Sequence, residues 1–215
     1  MSGVANLVLA SKSPRRSELL ARLGLPFEVR ASDLPEPIAP GFVPSSAVLL
    51  LGQLKATAVA LGFPSACVIG SDSAVCLGST ILGKPKDEND ARETLAQLSN
   101  RANEVVTGVA VIDTRSGETL TASVSTLVHF RAITSAEIEE YVATGEPMDK
   151  AGSYAIQGGA AKFIDSIEGC YNNVVGFPLC QVGLLLSSHG LEPATPQPWC
   201  LLPNGSPCPL SRSLS

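Results

Sequence analysis

Apolar positions along this chain come in short runs of two kinds, compact β-rich runs and longer helical ones, separated by turn-forming residues. Residues 6–10 read as a buried strand. Ser13-Pro14 then opens a helix, a capping oxygen followed by a fixed φ where the missing N–H does no harm. The helix runs to Leu23, with Gly24 as its left-handed exit. A second strand is predicted at 27–31. Pro35, Pro37, Pro40 and Pro44 punctuate a connection that cannot be regular, and 45–61 is an apolar helix. Residues 66–69 make a compact strand ending at Gly70-Ser71-Asp72, and 74–82 a hairpin turning at Gly78-Ser79.

Asp87 with Asp90 opens a helix to Leu98. Val- and Thr-rich stretches at 104–112 and 120–131 flank Thr114-Arg115-Ser116-Gly117 as an antiparallel pair. Thr134-Ser135-Ala136-Glu137 is a capping box for a helix over 135–143, ended by Gly145. Residues 154–156 and 161–167 are predicted to form a hairpin turning at Gly158-Gly159, and 178–186 a closing helix. Strands joined sometimes by helices and sometimes by tight turns predict an α/β fold with a mixed twisted sheet flanked by helices. Residues 1–186 would form that domain. Residues 187–215 hold six of the 16 prolines and little apolar periodicity, so they read as a tail without structure.

Composition narrows the function classes. The chain has 215 residues, 15 Lys and Arg against 20 Asp and Glu, and a net charge of −5, which argues against a nucleic-acid partner. No apolar run reaches the length of a membrane span and the first residues lack a secretory signal, so the expected address is the cytoplasm. The six cysteines form no C-x-x-C pair, and neither His129 nor His189 stands at ligand spacing from them. That spacing argues against a structural zinc site, and the cysteines read as small buried hydrophobes.

Against this acidic background, residues 1–30 carry five basic and two acidic side chains. Ser11-Lys12-Ser13-Pro14-Arg15-Arg16 places hydroxyls and two guanidiniums at a helix start, where unpaired N–H groups already favour an anion. Gly78 through Lys84 satisfies G-x-x-x-x-G-K, but Pro85 follows where a P-loop needs Ser or Thr. Asp72, beside Gly70, is placed to hold Mg²⁺ or activate water. Lys55 is the one charge on its helix, which in isolation reads as a side chain snorkelling to the surface, and Gln157 offers the donors and acceptor that reading a base requires. Arg15, Arg16, Lys55 and Lys84 with Asp72 and Glu36 suit a nucleoside triphosphate and a metal.

The segments 9–16, 18–20, 69–72, 81–85, 105–109, 149–154 and 173–176 resemble the Maf family of nucleoside triphosphate pyrophosphatases, over about residues 5–186 and in the family's order. The resemblance implies an inosine-triphosphatase-like fold of two lobes around a nucleotide cleft, and hydrolysis to the monophosphate and pyrophosphate with Mg²⁺ or Mn²⁺. It makes Asp72 the catalytic proton acceptor, Asp72 and Glu36 the metal residues, and Ser11, Arg15, Arg16, Lys55, Lys84 and Gln157 the substrate-binding ones. Residues 149–158 resemble the branch acting on dTTP and UTP. The alternatives are the branch for 7-methyl-GTP and a nucleotide-binding regulator of cell division without turnover. Homodimers are common among similar proteins. Asn103, Ser73 and Pro35 depart from the family's usual histidine, threonine and acidic residue.

Overall fold

The computed structural model describes residues 6–32, 34, 43–194, 199–202 and 205–208. Pro35, Glu36 and the rest of the proline-rich connection up to residue 42 lie outside them. In chain order the elements are β1 (Asn6–Leu9), α1 (Pro14–Ala21), β2 (Phe27–Val29), α2 (Pro44–Ala60), β3 (Ala66–Leu77), β4 (Thr80–Leu82), α3 (Glu88–Leu98), β5 (Ala102–Asp113), β6 (Thr119–Phe130), α4 (Ser135–Val142), three 3-10 turns between Glu146 and Phe163, β7 (Ile164–Glu168), α5 (Tyr171–Val175) and α6 (Leu179–Ser188). The strands join in the order β2-β1-β3-β5-β6-β7, with β4 on β3. β1 pairs parallel with β2 and β3, while β4 and β7 pair antiparallel with β3 and β6. The expected mixed α/β sheet flanked by helices is what the chain builds.

Two compact units share the long strands. The first comprises the described parts of 1–73, 107–124 and 170–215, and the second 74–106 and 125–169. In the first, α2 lays Ala56 and Val59 against Val8 of β1, Ala10 just beyond it, Ala66 and Val68 of β3 and Ala110 of β5. In the second, Tyr141 meets Phe163 edge to face at 5.5 Å, and Phe130 meets Tyr154 at 5.0 Å, geometries that favour aromatic pairs.

Several local expectations change. β3 does not end at Gly70-Ser71-Asp72 but runs through them to Leu77, because pairing within the sheet overrides the weak β propensity of Gly, Ser and Asp. Pro44 opens α2 rather than closing the connection, its fixed φ suiting a first helical position. The hairpin expected over 154–167 is instead a series of 3-10 turns leading into β7, which pairs with β6. Thr134 and Glu137 do form the reciprocal capping box.

The described residues of 187–215 differ from a structureless tail. The Ala194 amide donates to the Leu23 carbonyl, and Leu201 bridges to Pro207. Cys200 and Cys208 are each 1% exposed. Composition conveyed the prolines but not these anchors. Cys67 and Cys76 lie inside β3, where burial pushes each thiol up to about 11, so both remain protonated small hydrophobes.

Candidate active site

The first unit's polar centre begins with a close approach of helix to sheet. A Cβ on Gly70 would stand 2.0 Å from the Gly52 carbonyl oxygen and 2.6 Å from the Ala56 amide nitrogen, and one on Gly108 would stand 2.4 Å from the Val48 carbonyl carbon. Only glycine allows the backbone of α2 to settle so directly on β3 and β5. Alternate strand residues share a face, so Asp72 follows Gly70 on the side that α2 covers. Lys55 lies one helical turn beyond Gly52, and its Nζ meets Asp72 Oδ1 at 2.6 Å. Both residues are buried. Lys55 therefore does not snorkel to solvent; it ends on a buried carboxylate, an arrangement that fixes both charges.

The neighbouring residue, Ser73, points to the opposite face. Arg16 donates from Nη2 to Ser73 Oγ at 3.2 Å, from Nη1 to Ser11 Oγ at 3.4 Å and from Nε to the Gly176 carbonyl at 3.0 Å. Ser73 Oγ lies 2.9 Å from Thr107 Oγ1, which donates to the Asn173 carbonyl. Ser11 Oγ also accepts the Ser13 amide at 3.2 Å. Ser13 itself makes no side-chain cap on α1, so the first-turn N–H groups, next to exposed Arg15 and half-buried Arg16, keep their positive end for an anion. Ser71, fully buried on the same strand, has a hydroxyl without a partner among the described residues.

Ser11, Arg16, Lys55 and Asp72 are thus held by one unit, with Arg15 in the same helical turn as Arg16. Lys84 and Gln157 belong to the second unit and are exposed. The Gly152 amide donates to the Gly83 carbonyl at 3.0 Å, tying the segment before Lys84. The turn after Gln157 is held by Glu146, whose Oε2 accepts the Gly159 amide at 2.8 Å. A Cβ on Gly158 would lie 1.8 Å from Glu146 Oε1. Burial and the Glu146 carboxylate push the Tyr141 hydroxyl above its ordinary range, so it stays protonated, while its oxygen accepts the Ala155 amide at 3.2 Å. Asn103 is a buried spacer: Nδ2 donates to the Val128 carbonyl and Oδ1 accepts the Tyr154 hydroxyl at 2.9 Å.

Sequence reading missed Ser73, Thr107 and Glu146 as organising residues. Val105-Val106-Thr107-Gly108 did signal a strand with one hydroxyl beside a glycine; nothing local marked Glu146, because its partner lies 13 positions away. Among the described residues, no group of three His, Cys, Asp or Glu side chains that includes Asp72 has its ligand atoms within 4.8 Å of one another. Magnesium is commonly held by one or two carboxylates, water and substrate phosphates, and Asp72, a hard oxygen donor beside the phosphate-suited helix start, fits that donor set.

The chain matches the Maf-like protein family over residues 6–189. A Desulforamulus reducens protein named dTTP/UTP pyrophosphatase is 47% identical over 186 residues, covering 86% of this chain and 97% of that one. A protein of the same name from Anaeromyxobacter dehalogenans is 47% identical over 195 residues, 90% of this chain and 96% of its own length. The Syntrophotalea carbinolica protein of that name is 48% identical over 180 residues, 83% and 82% of the two chains.

Proposed function

Because the chain belongs to the Maf family, we propose that it is a pyrophosphatase that converts dTTP and UTP to their monophosphates and pyrophosphate. The observation that carries this reading is the buried Lys55–Asp72 pair, adjacent along β3 to the Ser73 that Arg16 grips. The names of its relatives support the pyrimidine substrates. Water attacks the α-phosphorus; the new P–O bond forms as the bond to the bridging oxygen breaks, and pyrophosphate leaves.

Asp72 accepts the proton of that water. Lys55 holds its carboxylate in a fixed orientation, so the base needs little reorganisation as charge develops. Ser11, Arg15, Arg16 and the open first turn of α1 receive phosphate oxygens, and Lys84 adds a further ammonium. Arg16 has a second task, since its bonds to Ser73 and Gly176 hold the strand and the α5 segment it touches. Gln157 reads the pyrimidine edge. Asp72 with Glu36 would hold a divalent cation, Mg²⁺ or Mn²⁺, which would neutralise charge on the leaving pyrophosphate. A cytoplasmic address goes with such substrates, and none of the six cysteines is joined in a disulfide. Among the described residues, no helix is long and apolar enough to cross a membrane.

The test is pyrophosphate release from dTTP, UTP, CTP, GTP and 7-methyl-GTP with Mg²⁺ or Mn²⁺, comparing the native chain with Asp72→Asn. Selective turnover of dTTP and UTP, reduced at least about a hundredfold by the substitution, is the expected result. Preference for 7-methyl-GTP would reassign the branch. Tight binding without turnover of any nucleotide would make the protein a regulator.

A further inference from the structure

Four cysteines far apart in sequence converge in the first unit, away from the residues assigned to the triphosphate. Cys170 precedes α5, Cys180 lies in the first turn of α6, and Cys200 and Cys208 sit on the C-terminal segment. The Sγ atoms of Cys170, Cys200 and Cys208 all lie within 4.8 Å of one another, and Cys180 adjoins them through its backbone amide, which donates to Cys200 Sγ. Each of the four is at most 2% exposed.

Distances and donors favour a cation over simple packing. Cys170 Sγ and Cys200 Sγ are 3.7 Å apart, far beyond a disulfide bond, whereas a tetrahedron of thiolates about 2.3 Å from zinc has edges of about 3.8 Å. Cys200 Sγ accepts two N–H groups, from Asn172 Nδ2 at 3.2 Å and from the Cys180 backbone at 3.3 Å. Such donors typically surround a metal-bound ligand and set its orientation. The C-terminal segment is folded back on itself: the Cys208 amide donates to the Cys200 carbonyl at 3.0 Å, the Leu202 amide to the Ser206 carbonyl at 2.8 Å, and Leu201 bridges to Pro207.

That fold-back has a thin apolar anchorage. Trp199 packs on Gly183, where a Cβ would lie 2.3 Å from the indole, but Leu201 is exposed. Ordering such a segment costs backbone entropy that one aromatic ring offsets only in part. A metal closing a long loop supplies what the core does not.

We propose that Cys170, Cys200 and Cys208 hold one structural zinc ion, with the neighbouring Cys180 closing the tetrahedron as fourth ligand, and that this site staples the C-terminal segment to α5 and α6. Absence of a C-x-x-C pair is no obstacle, because the spacing rule describes ligands on local knuckles and here the ligands come from three separate segments. Two of them, Cys200 and Cys208, lie beyond the residues matched to the family, so the site belongs to this chain's extension and stands independently of the pyrophosphatase reading. Its reach extends to α5, which carries the Asn173 carbonyl that Thr107 grips and ends next to the Gly176 carbonyl that Arg16 grips.

The test is elemental analysis and native mass of the full chain purified without chelator, followed by replacement with Co²⁺. One zinc per chain, and visible Co²⁺ bands of tetrahedral thiolate character, are expected. Cys200→Ser and Cys208→Ser should fall to roughly a tenth of the native zinc content or less, while Cys67→Ser and Cys76→Ser retain it. Should the cluster variants not fold, a mercurial titration of the native chain, with a chromogenic chelator reporting one released zinc, gives the same answer. A folded chain without zinc whose four thiols are paired as disulfides or readily alkylated, or one that holds iron instead, overturns the proposal.

Discussion

The two units fix their polar residues by opposite means. In the first, a helix is pressed onto the sheet at Gly52, Gly70 and Gly108, and the buried pair Lys55–Asp72 is a consequence of that contact. In the second, Gln157 sits on a chain of 3-10 turns whose shape depends on hydrogen bonds to Glu146 and Tyr141. The first arrangement suits a charge that must not move during chemistry. The second suits recognition, because turns held by a few hydrogen bonds adjust at modest cost. Tight packing and adjustable turns should then fail differently when perturbed.

The largest expected effect follows from crowding the tight contact. Gly70→Ala forces its Cβ against backbone atoms that cannot rotate away, so α2 must lift from the sheet. Overpacking of this severity costs about 3 kcal/mol or more, and urea unfolding should show it together with loss of turnover. Gly83→Ala is the contrast in the second unit: nothing lies within 4 Å of its added Cβ, and its midpoint should stay within about 0.5 kcal/mol of the native value. Equal losses in both would erase the distinction between the units.

Of similar size is the effect of breaking the ion pair itself. Lys55→Met leaves Asp72 buried without its cation and should cost about 3–5 kcal/mol. Replacing both partners, Lys55→Met with Asp72→Leu, removes the uncompensated charge, so most of that stability should return while pyrophosphate release stays absent. Recovery of turnover in the double variant would remove Asp72 from the reaction. Failure to recover stability would show that the glycine contact, not the charge pair, sets the local energy.

Much of this was legible in the chain. Periodicity and caps marked most helices and strands, and the residues of the helix start and of β3 stood out by type. Gly70-Ser71-Asp72 misled, since turn-forming residues were read locally while their strand is held by its neighbours in the sheet. Lys55 looked like a surface lysine because helical periodicity does not reveal that Gly52 and Gly70 bring the backbones together. The Glu146 contact to Gly159 and the gathering of Cys170, Cys180, Cys200 and Cys208 are long-range facts, for which no local pattern exists. Glu36 falls outside the described residues.

A smaller effect is expected in the second unit. Glu146→Ala removes the acceptor for the Gly159 amide, at about 1 kcal/mol of stability. If Gln157 reads the base in ground state and transition state alike, KM for dTTP and UTP should rise about tenfold with kcat nearly unchanged. Gly158→Ala, which displaces the same carboxylate, should do likewise. A fall in kcat with KM unchanged would place this turn in the chemical step and dissolve the contrast with Asp72.

The smallest effect is acid sensitivity, and here the two units should behave alike. In the first, hydrogen bonds from Arg115 hold Asp113 down at about 2. In the second, Arg131 and the capping contacts of Thr134 hold Glu137 at about 2. Unfolded carboxylates titrate near 4, so each pair's stabilisation is fully present above that value and is lost as pH falls toward 2. Arg115→Ala and Arg131→Ala return their carboxylates toward ordinary values, which should make stability fall less steeply between about pH 4.5 and 2. Urea midpoints measured across that window check it. Both pairs are partly exposed, so added salt should shrink the difference in each; a slope unchanged by both substitutions would mean that neither carboxylate is held by its arginine.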